Sequence, residues 1–202
     1  MKPSAHVQCS DFRCLDTRRE SYHIPDVEID PARVSILLIS EAAPENPTDH
    51  YYAGPVALFA RTTLLAFQEA GAKVASIQDI LDLGVYLTTA VKCGKVNPGL
   101  ENATLQNCSY LLEHELSLFP NAKCFLLMGD VAIKAVNTIA KRNKEPRVIP
   151  AGSTYKIRGG EFHFRGARAF PSYVQAGPAF FVEKSKRRMI AEDIARALAL
   201  AG

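Results

Sequence analysis

The 202-residue sequence predicts an α/β protein: a three-layer α/β/α sandwich around a short, mostly parallel sheet. Three observations carry this expectation. Short apolar runs alternate with segments of helical periodicity in a repeated strand-helix rhythm. One of the runs, AKCFLLM at residues 122–128, is apolar at nearly every position, as strands buried on both faces of a parallel sheet are. A composition of 48% hydrophobic and 22% charged residues, without internal repeat, linker or low-complexity tract, is enough for one core spanning residues 1–202.

Residues 1–33 show little apolar periodicity. Their stretch CSDFRCLDTRRES is polar and basic and opens with two nearby cysteines, so something other than a core is expected to tie it down. Residues 34–39, VSILLI, form a β-branched apolar run and predict a strand, which breaks into a loop carrying two prolines, Asp49-His50 and Tyr51-Tyr52. In open α/β sheets the loops leaving the carboxyl ends of strands form the ligand crevice, which makes this loop the first place to look for chemistry. Helical spacing runs from Pro55 to a cap at Gly71. A strand over 85–92 then breaks at GKVNPG before a helix over 102–118, and the apolar strand at 122–128 passes through Gly129-Asp130 into a helix ending near Lys141. From Arg147 onward, period-two alternation in STYKIRGGEFHFRGARAF predicts a hairpin with Gly159-Gly160 at its turn, feeding a last strand. PSYVQAGPAFF reads as a second Pro/Gly-interrupted loop, and a helix over 183–198 closes the fold.

No apolar run approaches the roughly 20 residues needed to cross a bilayer, which excludes a membrane partner through such a segment. The N-terminus has no secretory apolar stretch, so a cytoplasmic, monomeric protein is expected. The net charge of +3 is mild, but the basic residues bunch toward the C-terminal half. That distribution suits a nucleic-acid partner and equally suits solvated helix faces.

Five cysteines in a cytosolic chain are not expected to form a disulfide framework. Cys9 and Cys14 lie near Phe12, Cys93 and Cys108 near element ends, and Cys124 inside an apolar strand. Four thiolates drawn from two distant regions can hold zinc or an iron-sulfur cluster, and the ligand type does not separate the two; four unrelated thiols are the other reading.

With these pieces in order, the chain resembles the uracil-DNA glycosylase superfamily, most of all its iron-sulfur branch found in bacteria and archaea. The resemblance runs from Cys9 to about Leu198. The family's G-E-A-P-G loop is similar to Ser40-Glu41-Ala42-Ala43-Pro44, and its P-F-V-G to Tyr51-Tyr52-Ala53-Gly54. T-N-x-V-K-C resembles Thr88-Thr89-Ala90-Val91-Lys92-Cys93, Cys108 opens a helix as the next family cysteine does, and LLMGDVAIKAV is similar to the family's strand-Gly-helix step. The late H-P-S loop resembles Phe170-Pro171-Ser172, ahead of the basic helix KRRMIAEDIARAL.

The resemblance implies a 4Fe-4S cluster, or zinc in its place, on Cys9, Cys14, Cys93 and Cys108, with Cys124 left in the core. It also implies DNA as partner and a pocket for a flipped-out base. Extruding a base costs unstacking energy, which is recovered by stacking on a ring and hydrogen bonding to the base edge. By motif position Tyr52 is that ring, and Ala42, Thr89, Phe170 and Ser172 complete the pocket. The implied activity is base excision by hydrolysis of the N-glycosidic bond. Thr89 stands where the family has an edge-reading Asn, and Phe170 where it has a His that stabilises the departing base. A hydroxyl cannot present the paired donor and acceptor of an amide, and a phenyl ring offers no N–H, so an altered base choice is expected.

Glu41 and His50 are the catalytic candidates: His50 beside Asp49 as a group that activates water or donates to the leaving base, or else polar surface; Glu41 as the motif's acid, or else an organiser of loop backbone. Ser172 and Tyr173 would meet the DNA backbone or minor groove, and Lys186, Arg187 and Arg188 phosphates, unless these cations form a solvated helix face. His163, between two phenylalanines, reads as structural or exposed. An inactive relative that binds nucleic acid or a nucleotide, and a hydrolase of free nucleosides, are the alternatives.

Overall fold

The run that opens at Val34 becomes strand β2 (Ile36–Ala42), the second strand of a five-stranded sheet in the computed structural model, which describes residues 1–202. The sheet order is β3 (Val85–Val91), β2, β5 (Cys124–Met128), β7 (Ala167–Ser172), β6 (Phe162–Phe164). The first four strands are parallel, and β6 is an antiparallel edge on β7. Ile36 lies beside Val85 on one side and Cys124 on the other. Alternation along β2 sends Leu37 and Ile39 to one face and Ile36 and Leu38 to the other. The first face is covered by α3 (Asn102–Ser117) and α4 (Asp130–Arg142), the second by α1 (Leu58–Glu69) and α7 (Lys184–Ala201). The three-layer α/β/α architecture follows from these two apolar faces.

Most elements lie within a few residues of their predicted bounds, and Gly71, at φ +88°, takes the left-handed position that ends α1. The hairpin differs. Residues 154–157, read as strand, form the short helix α5 (Thr154–Ile157), and the β6–β7 turn is Arg165-Gly166, at φ +51° and +82°. Two consecutive positive φ angles match the twist of the flanking strands, a job Gly159-Gly160 does not perform. Sequence reasoning also passed over α2 (Ile77–Asp82), whose N-terminus carries a reciprocal cap between Ser76 and Asp79. The S-x-x-D pattern was its visible signal. A further helix, α6 (Ala179–Val182), interrupts the late loop.

The N-terminal segment is held by apolar burial, hydrogen bonds and a strand pairing. Val7, Ile24 and Ile29 are buried, and the Met1 ammonium donates to the Ile29 carbonyl at 2.6 Å. β1 (Thr17–Arg18) pairs antiparallel with β4 (Gly94–Lys95), placing Thr17 beside Lys95. The buried Asp16 carboxylate accepts from the Glu101 N–H at 2.6 Å and from the Thr104 hydroxyl, which caps α3. No helix is long and apolar enough to cross a membrane.

Candidate functional site

A cleft of about 880 Å³ opens at the carboxyl ends of the parallel strands, where ligand crevices of such sheets lie. Its floor is Ser40, Glu41 and Ala42 at the end of β2; one wall is Lys95 to Pro98 and the other Val174 and Ala176 to Ala179. Asn46, Asp49 and the Phe59 ring close it from the first loop and α1. A second hollow of about 410 Å³ shares Glu41, Val174 and Ala179 and extends to Gly129, Ser172, Tyr173, Lys186 and Arg187. Glu41 therefore stands where two cavities meet.

The Glu41 carboxylate is half-buried and pairs with the Lys95 ammonium at 2.8 Å. Its other oxygen accepts from the Val131 N–H at 3.4 Å, in the first turn of α4, where the partial positive charge of a helix N-terminus favours an anion. Gly129, at φ +102°, permits this approach, since a Cβ there would lie 2.7 Å from the Glu41 oxygen.

Of the other predicted residues, Ala42 lines the cleft and several do not. The Thr89 hydroxyl donates to the Val91 carbonyl at 2.9 Å and is turned onto its own strand. The Tyr52 hydroxyl donates to the Leu87 carbonyl at 2.9 Å and accepts from the Leu87 N–H at 3.1 Å. One side chain thereby satisfies both backbone groups of Leu87 on the edge strand β3. The Tyr52 ring faces a separate apolar hollow with Pro55, Ile77 and Leu81. Phe170 lies in the core: the parity of β7 directs it toward α7, it is buried, and Arg168 and Arg196 cover it at 5.0 and 5.7 Å. Ser172 borders the second hollow while its hydroxyl donates to buried Asp193 at 2.6 Å.

His50 is stacked on His23 with ring centroids 3.7 Å apart, and its Nδ1 accepts from the Tyr52 N–H at 3.1 Å. It is absent from the cleft lining, whereas its neighbour Asp49 lines the cleft and caps α1 through the Leu58 N–H at 3.1 Å. Burial lowers the pKa of both histidines, His23 to about 4. On α7, Lys186 pairs with Glu183 at 2.7 Å, Arg187 with Glu69, and Arg188 with Glu192 at 3.6 Å. Lys186 also lies 5.4 Å from the Tyr173 ring centre. His163 is exposed on β6. Sequence reasoning missed Lys95, Asn97, Asn46 and Phe59. The GKVNPG break after β3 was a signal for the first two, because it too leaves the carboxyl end of a parallel strand.

Cys9, Cys14, Cys93 and Cys108 line one pocket, with Phe12, Tyr22 and Leu111 around them. All are free thiols; Cys9 and Cys14 are partly exposed, Cys93 and Cys108 buried. Desolvation, reinforced by the neighbouring thiols, pushes Cys93 up to about 12, and desolvation pushes Cys108 up to about 11. Phe12, between the first two cysteines, takes a left-handed φ of +44°. No group of three or more Cys, His, Asp or Glu side chains is gathered as a site for a single ion. Four cysteines with no carboxylate or imidazole in the same lining are nonetheless the residue type a thiophilic metal group takes. Beside them Lys92, fully buried, pairs with Glu115 of α3 and donates to the Thr88 hydroxyl at 2.9 Å, while the Tyr86 hydroxyl donates to Glu115 at 2.6 Å. Cys124 is fully buried in β5.

Over 124 residues the chain is 27% identical to a type-5 uracil-DNA glycosylase of Thermus thermophilus, a match covering 61% of this chain and 54% of that protein. The match thus spans about half the length of that relative. The sequence model of the uracil DNA glycosylase superfamily matches residues 27–193, from the end of the N-terminal segment into α7. That range holds the whole sheet and both walls of the cleft, and the chain belongs to the uracil-DNA glycosylase superfamily.

Proposed function

We propose that the protein is a DNA glycosylase that hydrolyses the N-glycosidic bond of a flipped damaged or deaminated base, with base choice altered from uracil. The observation that carries this is the half-buried Glu41–Lys95 pair at the floor of the strand-end cleft. In hydrolysis a water oxygen bonds to the sugar carbon as the base leaves with the electron pair of the broken bond. Glu41 suits the orientation of that water, and the Lys95 ammonium suits the negative charge developing on the base. Because Phe170 and Thr89 are withdrawn from the cleft, Asn97 and Asn46 are the amides available to a base edge, and Phe59 is the ring available for stacking. His50 has no part in this reading.

The four-cysteine pocket supports a 4Fe-4S cluster on Cys9, Cys14, Cys93 and Cys108, with zinc as the alternative. When bound, the group cross-links the N-terminal segment to the end of β3 and to α3. A broad visible absorption band with stoichiometric iron is expected; a colourless anaerobic preparation containing zinc would overturn the cluster and keep the site.

Duplexes carrying uracil, hypoxanthine or xanthine, followed by alkali cleavage at abasic sites, test the activity. Product on at least one lesion is expected, and none at high enzyme concentration sinks the proposal. A second reading, a DNA-binding relative without catalysis, is favoured by the withdrawal of Thr89 and Phe170. Duplex binding without product on any lesion would select it.

A further inference from the structure

Another cavity, of about 540 Å³, lies on the outer surface between α3 and α4, away from the cleft. Four cations line it: Lys134 and Lys141 on α4, then Lys144 and Arg147 beyond its end. All four are exposed, and none is in an ion pair. The acid among them, Glu145, already pairs with Arg165 at 3.1 Å. The contrast with α7 is direct, because Lys186, Arg187 and Arg188 each have a carboxylate partner. Cations without a carboxylate partner, around a groove with one apolar lining residue, Leu105, fit a polyanion and not an apolar peptide.

The groove is also built. The Asn137 amide accepts from the N–H groups of Val148 and Ile149, both at 3.0 Å, and donates to the Ile149 carbonyl at 2.9 Å, which holds the chain bearing Arg147 against α4. Lys134 and Lys141 are two helical turns apart on one face, about 10 Å along the axis at about 1.5 Å per residue. That rise equals about three nucleotide steps of a B-form strand at about 3.4 Å each. α4 begins at Asp130, which lines the hollow beside Glu41, and runs from there past Lys134 to Lys141.

We propose that the α3–α4 groove is a phosphate track for duplex DNA flanking the nucleotide held in the cleft. The inference rests on the glycosylase reading for its choice of polyanion. It is tested by the salt dependence of binding to an undamaged duplex, followed by fluorescence anisotropy, for the wild type and for Lys134→Glu/Lys141→Glu. Each lost phosphate contact lowers the slope of log K against log salt by about 0.9, so the double variant is expected to lose about 2 in slope. Lys134→Gln/Lys141→Gln, which introduces no repulsion, is expected to lose nearly as much. Far-UV circular dichroism and thermal melting report the fold. An unchanged slope in folded variants whose wild type binds DNA overturns the track and leaves the glycosylase reading standing. Absence of wild-type binding even at low salt sinks both. Base release by the double variant with kcat retained and KM raised would support the track, since a merely structural role for these lysines would not split the two constants in that way.

Discussion

Cys93 and Lys95 are two residues apart at the end of β3, yet one faces the cysteine pocket and the other the cleft. The two regions are built differently. In the cleft the charged groups already have protein partners: Glu41 has Lys95 and the Val131 N–H, and Asp49 has the Leu58 N–H. In the pocket the Cys14 sulfur has only an amide nitrogen 4.0 Å away, and no sulfur is in a disulfide. The charges of the cleft are paired within the fold, whereas the four cysteines of the pocket are free thiols. The difference teaches a dependence. Lys95 sits on β4, which is held by pairing with β1 and by the Ser21 hydroxyl accepting from the Gly94 N–H at 2.7 Å, so the cleft cation leans on the segment that the cysteines would anchor.

The largest expected effect tests that shared foundation. Glu115→Ala leaves the Lys92 charge buried without its partner, and a loss of about 3–5 kcal/mol in unfolding free energy is expected from chemical denaturation. A loss near zero would show that β3 does not support the two regions through this pair. Glu41→Gln should then lower kcat by about 10²–10³ while the melting temperature stays near wild type, if the cleft is the reactive region. Retained turnover would shift the chemistry elsewhere. Cys93→Ser and Cys108→Ser are each expected to remove iron and visible colour and, through β1 and β4, to weaken the contribution of Lys95. Loss of iron with unaltered kcat and KM would separate pocket from cleft.

Smaller effects concern the residues between the two regions. Tyr52→Phe removes both the donor and the acceptor that close the edge of β3, for an expected cost of about 1–3 kcal/mol with KM unchanged. A raised KM would return that ring to the substrate. A further effect is in pH. Burial holds His23 at about 4 in the folded protein against its ordinary value of 6.5, so between these values the unfolded chain binds more protons. Stability is therefore lost as pH falls from about 6.5 toward 4, and His23→Asn should flatten that limb of the melting profile. An unaltered limb would show that the stack on His50 leaves His23 free to titrate.

Strand-helix rhythm, the apolar run at 122–128 and the motif order determined the layers and the family resemblance. Apolar periodicity suffices for these because burial on a face depends on spacing alone. Motif position does not determine where a side chain points. Thr89, Tyr52 and Phe170 occupy the expected positions in the chain. The hydroxyl of Thr89 bonds its own strand, that of Tyr52 bonds a neighbouring edge, and Phe170 follows strand parity into the core. The pairing of Glu41 with Lys95 joins residues 54 positions apart, and the uncommitted cations of the α3–α4 groove are defined by which acids lie elsewhere. Which charges find partners depends on distances between elements, and those distances exist only after the helices have packed on the sheet.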